Sequence, residues 1–462
     1  MTFPDLVRTS SSPSSSTCTR SSLSSSPSPP DRIVTRNKPK QMKEESFSKN
    51  MLFISVGVVA ILYVAWSSWA IWMLSSAENA HKLWPIPIGR IRTNTNTIHN
   101  IRSSSKKEGL PITETNTNYE FQTTSNLAPV CNPLKPEDIY YTLVTQVSTE
   151  RLWMVPQHCK RWKGPISVAV FTSESIGEIH KKMGDGCETG QLRIQTISSE
   201  GVEEGEYPVN ALRNLALSAV QTSHVVYVDI DFWQSTNLLE VLNLKYVREE
   251  LADDDLLAIV IPAFQLARQC SGDDISNECE QKNIDKMPKN KLEVSTLVKS
   301  HEASPFDPTN RGGHGSTEYG HWFKQRRAQF HDIPCIRSNR YEPYMVFRYC
   351  EKFPPFQESF TGYGKNKMSQ IMHMRRTGYI FSQLGDVFVM HYPHPSSQAR
   401  KVWGQKAKKK GNNKKVDRAT LKRSQVDRLF VQFKRWLKSD VPDMERVHLC
   451  ADAADDDKTL WV

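Results

Sequence analysis

Residues 224–232 read HVVYVDIDF, an apolar run that ends in two carboxylates one residue apart. A strand this apolar needs cover on both faces, and its abrupt polar end needs a crevice. Strand alternation would send Asp229 and Asp231 to the same side and turn Ile230 back into the packing. Two carboxylates that close repel, and a cation between them is the simplest way to keep both ionised. A hard divalent cation and a phosphorylated ligand could meet at such a strand end. Taken alone, the triplet also fits a strand capped by solvated acids, so the surrounding sequence has to decide.

Strand and helix patterns alternate around it. Residues 140–145 read as a strand and 151–162 as a helix with Leu152, Val155 and Cys159 on one face. Strands follow at 166–171 and 192–197, separated by a helix at 174–183, and Pro208 opens a further helix at a favoured first-turn position. In that helix Leu212, Leu215, Ala216 and Ala219 recur at helical spacing and would face a sheet. Asn210, Arg213 and Asn214 share its other side, where the arginine fork would suit a phosphate or a sugar carboxylate. Residues 237–251 read as a helix and 256–262 as another buried strand. A long polar insertion spans 267–310. The pattern predicts an α/β fold with a largely parallel sheet.

Three later segments carry chemistry: 311–322 (RGGHGSTEYGHW), 341–348 (YEPYMVFR) and 360–368 (FTGYGKNKM). Gly362 and Gly364 mark a turn before a helix, and Asn366 and Lys367 supply donors near the helix start, where anions are welcome. A strand at 387–390 delivers His391, with His394 three residues on. Either can be an ordinary polar residue; beside two carboxylates, His391 can complete a metal site.

The rest of the chain bounds where such a head would sit. Residues 1–50 are rich in Ser, Pro and Thr and read as a disordered tail. Residues 51–74 contain no charge over about 24 residues, roughly 36 Å of helix, enough to span a hydrocarbon core. Arg36, Lys38, Lys40, Lys43 and Lys49 crowd its amino side, which favours a cytosolic amino terminus and a lumenal body. Residues 75–130 have the composition of a flexible stem. An acidic tail occupies 451–462. No N-x-S/T triplet occurs anywhere in the chain. Eight of the nine cysteines follow the apolar run and permit disulfides, with Cys270 and Cys279 the first pair to test. The formal charge of +10 could point to nucleic acid, but the basic residues concentrate in the tail and in 400–423. That second run lacks interleaved aromatics and reads as a solvated loop.

Seven blocks, taken together, resemble glycosyltransferase family 49, in particular the glucuronyltransferase domain of the LARGE-type enzymes and the related β-1,4-glucuronyltransferase. They are YYTLVTQVSTERLWMVPQHCKRWKGPISVAVF, YPVNALRNLA, HVVYVDIDF, AIVIPAF, YEPYMVFR, FTGYGKNK and VFVMHYPHPSS, in order over residues from about 138 to 398. The resemblance implies a GT-A fold, a Rossmann-like α/β/α nucleotide-sugar domain over 131–450, in a single-pass type II protein of the Golgi membrane with a lumenal head. It implies Mn2+, a UDP-sugar donor, typically UDP-glucuronic acid, a glycan or glycoprotein acceptor, and inversion at the anomeric carbon. Asp229 and Asp231 match the family's D-x-D motif, and His391 matches its metal-binding histidine; His394 is the weaker match. Glu342 is similar to the family glutamate in YEPY and is the candidate base, with Glu358 as alternative.

Two departures matter. Where relatives have an aspartate before the glycine block, this chain has Gln357, and it has no stretch long enough for the xylosyltransferase domain that LARGE-type enzymes also carry. Alternatives within the fold are transfer of another UDP-hexose or UDP-pentose, or a catalytically inactive glycan-binding relative. A haloacid dehalogenase-type phosphatase would need Thr or Val where Trp233 stands.

Overall fold

Four strands build the first half of the main sheet. β1 (Tyr141–Ser148), β2 (Ile166–Phe171), β3 (Leu192–Ile197) and β4 (His224–Tyr227) pair in parallel in the order β3-β2-β1-β4. Because the chain turns back from β3 to pass beyond β1, the carboxyl ends of β1 and β4 form the two lips of a crevice, the usual ligand position in open α/β sheets. The structure, a computed structural model, describes residues 119–125, 127–203, 206–270, 276–404 and 418–453. The expected tail, membrane span at 51–74 and most of the stem lie outside these residues, as do the basic stretch 405–417 and residues 454–462. Among the described residues no helix is long and apolar enough to cross a membrane.

β5 (Phe232–Gln234), β6 (Leu257–Ile261), β7 (Ala263–Leu266), β8 (Ala303–Pro305), β9 (Phe330–Asp332), β10 (Tyr344–Arg348), β11 (Ile380–Leu384) and β12 (Val389–His391) complete the strands. The main sheet continues β4-β10-β6-β11-β9, and a second sheet runs β5-β12-β7-β8. Here the largely parallel expectation needs correcting: β10 is antiparallel to both β4 and β6, and β9 is antiparallel to β11. Every residue of β10 is buried. A strand covered on both faces is apolar whichever way it runs, so its composition carries no direction.

The predicted helix at 237–251 is two, Leu238–Leu242 and Lys245–Asp253. The polar insertion holds the helices Asn277–Lys286 and Lys291–Lys299, pinned at its start by the Cys270–Cys279 disulfide. The other cysteines among the described residues pair as Cys131–Cys350, Cys159–Cys187 and Cys335–Cys450. Part of the expected basic loop is helical. Gln398–Gly404 is a short helix, and Arg418–Asp440 lays Val426, Leu429, Phe430, Phe433 and Leu437 at helical spacing against Phe360, Met368 and Met372.

The folded head also reaches upstream of residue 131. Phe121 packs on Phe433 and Trp436, with ring centroids 5.6 and 5.3 Å away. Beside it the Gln357 amide donates to the Gln122 carbonyl at 2.7 Å and accepts from the Gln122 N–H at 2.9 Å. An aspartate at 357 could not donate, so the departure noted in the sequence has a structural use: it holds the incoming chain on the head.

Candidate active site

β4 ends at Tyr227, and the Phe232 N–H donates to the Asp229 carbonyl at 2.9 Å, closing a turn before β5. Asp229 and Asp231 therefore sit in a turn, not on the strand expected from alternation, and their carboxylates have different neighbours.

Asp229 Oδ1 accepts from Tyr227 Oη at 2.6 Å, Arg213 Nη2 at 3.2 Å and Gln146 Nε2 at 3.2 Å. Oδ2 accepts from Tyr344 Oη at 2.8 Å and Lys367 Nζ at 3.1 Å. Burial pushes this carboxyl up, but Lys367 and Arg213 outweigh it and hold the group well below the usual carboxylate range. Both oxygens thus face protein donors, two of them cationic.

Asp231 faces the other way. Register pairs His391 of β12 with Phe232 of β5, and the Tyr392 N–H donates to the Asp231 carbonyl at 2.8 Å. The second sheet therefore carries both histidines to this carboxylate. Asp231 Oδ2 lies 2.7 Å from His394 Nε2, 3.1 Å from Arg151 Nη1 and 3.8 Å from His391 Nε2. Burial alone would raise the Asp231 carboxyl; His394, Arg151 and His391 instead keep it far below its ordinary value. Burial lowers His391 to about 4, against the pull of Asp231, so at neutral pH its ring offers a lone pair.

His394 meets two groups through one ring nitrogen. Its Nδ1 lies 2.6 Å from the Pro395 carbonyl and 3.2 Å from Arg151 Nη2, and it cannot donate to the first while accepting from the second. The closer carbonyl takes an Nδ1–H. The Nε2 side of the ring then faces Asp231 Oδ2 at 2.7 Å, where the two could share a cation. A histidine oriented through one N–H on a backbone carbonyl is the usual arrangement of a metal ligand.

Ligand atoms of Asp231, His391 and His394 all lie within 4.8 Å of one another. One carboxylate and two imidazoles fit a divalent ion of the manganese type. The geometry thus joins the expected Asp231 and His391 with His394, and sets Asp229 apart among its protein donors.

The other candidates divide. Arg213 is 3 % exposed and spends its fork internally, on Tyr227 Oη at 2.5 Å, Asn210 Oδ1 at 2.9 Å, Asn366 Oδ1 at 3.0 Å and Asp229. Asn210 donates to the Gln357 carbonyl at 2.8 Å and Asn214 to the Phe356 carbonyl at 2.8 Å, so both brace the loop before the glycine block. Glu358 on that loop accepts from Asn214 at 3.0 Å. Gly362 and Gly364 have φ of 70° and 99°, which L side chains rarely adopt, and the turn they make aims Asn366 at Arg213. Lys367 bridges Asp229 and Tyr344 Oη, the latter at 3.1 Å.

The Glu342 N–H donates to the Gly313 carbonyl at 2.8 Å, while its carboxylate accepts no hydrogen bond from a described residue. Burial raises its carboxyl above the usual range, Lys367 and Arg213 pull it back, and Asp229 pushes it up again. A carboxylate left uncommitted, with its proton affinity raised, suits a general base.

Sequence reasoning missed Arg151, Gln146 and Tyr344. Arg151 and Gln146 belong to the carboxyl end of β1 and the turn of 3-10 helix that follows it, Thr149–Met154. The β3-β2-β1-β4 order makes that end the second lip, the signal that could have found them.

A half-sheet in this order whose crevice holds a carboxylate–histidine cluster ringed by cations is an arrangement that a glycosyltransferase can use. The chain belongs to glycosyltransferase family 49: the family model described as "Glycosyl-transferase for dystroglycan" matches residues 141–184 and 178–426. The resemblance carried by the motif blocks is thereby borne out. Relatives include the glycosyltransferase-like protein gnt14 of Dictyostelium discoideum, 32 % identical over 56 % of this chain and 38 % of that one. The xylosyl- and glucuronyltransferase LARGE1 of Mus musculus is 29 % identical over 55 % of this chain and 31 % of its own length. LARGE2 of the same species is 30 % identical over 57 % and 36 %. The match thus spans about a third of the length of these relatives. A solved structure of GalNAc-T7 with UDP, GalNAc and Mn2+ covers 65 % of this chain and 56 % of that one, at 10 % identity and a TM-score of 0.34, too low to carry positions across.

Proposed function

We propose that this chain is a metal-dependent, inverting GT-A transferase that moves glucuronic acid from UDP-glucuronic acid to a glycan. The observation that carries the reading is the Asp231–His391–His394 cluster set beside Arg151, Arg213 and Lys367. Arg151 at 17 % exposure and Lys367 at 13 % leave part of their side chains at the crevice, where cations suit an anionic donor such as a sugar diphosphate. The names of the LARGE relatives, which include glucuronyltransferase, point the same way.

Asp231, His391 and His394 would hold Mn2+. Bound there, the ion supplies charge neutralisation for a departing diphosphate. Arg151, which now balances Asp231, is placed to turn its guanidinium to phosphate oxygens once a cation takes over that carboxylate. Arg213 and Lys367 keep Asp229 ionised, and Asp229 in turn fixes Tyr227 and Tyr344, so the wall of the crevice needs no reorganisation during reaction. Glu342 is the base for the acceptor hydroxyl. Attack opposite the leaving UDP then inverts the anomeric carbon. The apolar run at 51–74 and the four disulfides support a type II Golgi protein with this head in the lumen.

The test is to incubate the full-length chain with a panel of UDP-sugars and glycan acceptors, with and without Mn2+. Metal-dependent transfer from UDP-glucuronic acid is expected. An Mn2+-induced rise in melting temperature is expected too, and Asp231→Asn should remove it. Turnover of no donor would sink the enzyme reading; transfer of another sugar in preference would overturn the donor assignment.

A further inference from the structure

The glycine block has an outer face that the donor chemistry leaves unused. Inward, Asn366 meets Arg213, and the Gly362 N–H donates to the Tyr207 carbonyl at 2.7 Å. Outward, Tyr363 leaves 40 % of its surface exposed, a large value for an aromatic ring at the lip of a crevice. Trp403 stands behind it, with centroids 5.8 Å apart at 56°. A Cβ on Gly364 would come within 2.8 Å of the Trp403 ring, so only a glycine there lets the indole lie against the backbone. The Arg400 guanidinium sits 5.7 Å from the Tyr363 centroid and has no carboxylate partner among the described residues. The nearby Asp427 is taken by Lys365.

An exposed aromatic ring with a guanidinium lying over it, and no carboxylate on that guanidinium among the described residues, matches one ligand chemistry: a pyranose whose carbon face stacks on the open part of the ring and whose carboxylate meets the arginine. We infer that Tyr363, Trp403 and Arg400 form an acceptor subsite for an acidic sugar, Tyr363 as the stacking platform, Arg400 as the carboxylate clamp and Trp403 as the support that holds both against the glycine block. This assignment rests on the transferase reading for its link to catalysis, but not for binding. The outer face takes the acceptor because the inner face of the same loop already serves the crevice that takes the donor.

The experiment uses p-nitrophenyl β-D-glucuronide and its neutral twin, p-nitrophenyl β-D-glucoside, which differ in the carboxylate alone. Binding to the full-length chain is measured by saturation-transfer NMR and calorimetry without donor, alongside UDP affinity and acceptor KM. The wild type should favour the glucuronide. Tyr363→Ala should weaken it at least tenfold and Tyr363→Phe less than twofold; Arg400→Gln should weaken it at least fivefold while leaving the glucoside and UDP unchanged. Equal binding of the two glycosides, a glucuronide affinity unmoved by both variants, or a parallel loss of UDP affinity overturns the proposal. If the wild type transfers no sugar but shows this binding pattern, the transferase reading fails and the subsite stands.

Discussion

Replacing Arg213 by methionine should destabilise the head by about 4 kcal/mol, because this side chain is a buried keystone. At 3.2 Å, its attraction to Asp229 is about 5 kcal/mol at an effective dielectric of 20, and desolvation offsets much of that in the intact pair. Breaking the pair is another matter, since Asp229 stays buried with Lys367 as its remaining cation. Broken buried pairs cost roughly 3–5 kcal/mol, and Arg213 also forfeits its bonds to Tyr227, Asn210 and Asn366. At about 2 °C per kcal/mol for a domain this large, the melting temperature should fall by roughly 8 °C. Urea denaturation of Arg213→Met, Asp229→Asn and the double variant measures the coupling. Each single change should cost about 3–4 kcal/mol, and the pair about 2–3 kcal/mol less than their sum, because the double variant strands no carboxylate. A loss below 1 kcal/mol for Arg213→Met, or singles that add to within about 0.5 kcal/mol, would refute the keystone reasoning.

Two further outcomes follow from buried groups outside the crevice. His373, with neither ring nitrogen bonded, and His224 are each lowered by burial to about 3, so below the ordinary value near 6.5 the unfolded chain binds the protons. Stability should fall as pH drops from about 6.5 toward 3, and His373→Leu should gain roughly 2–3 kcal/mol on the wild type between pH 7 and 4.5, measured by denaturation at both values; a constant difference would show that His373 does not titrate in this way. Gln357→Ala should release residues 119–125 from the head, read as faster amide exchange there with the melting temperature shifted by less than about 4 °C, and unchanged exchange would show that the Gln122 clamp does nothing.

What the sequence discloses about this fold divides by the range of the interaction. Ile166–Phe171 and Leu192–Ile197 match the predicted strands end to end, since an apolar run after Gly-Pro, or an alternating one between polar turns, marks itself. β10 reads instead as a chemistry-bearing block, because Tyr344–Arg348 is both a central strand and part of the site wall. β11 and the Arg418–Asp440 helix were missed, the helix because its Lys and Arg residues mask an apolar stripe that has meaning only once Phe360 and Met372 are opposite it. In the site, Asp231 and His391 were legible as residue types at strand ends. That Asp229 is already satisfied, and that His394 faces Asp231, depends on pairing β12 with β5, a contact across more than 150 positions that no local pattern encodes.

The disulfides have a mechanical corollary. Cys131 and Cys450 lie 450 − 131 = 319 residues apart along the chain, but through Cys131–Cys350 and Cys335–Cys450 the covalent path between them is 350 − 335 = 15 residues. Pulled from its two ends, the head could lengthen by about 50 Å before its bonds themselves bore the load, against about 1,100 Å for an unbridged chain. That short path contains Glu342 and Tyr344. Tension between those two ends therefore passes through the segment that holds the proposed base and a wall of the crevice, while the parallel half of the sheet hangs outside the load path.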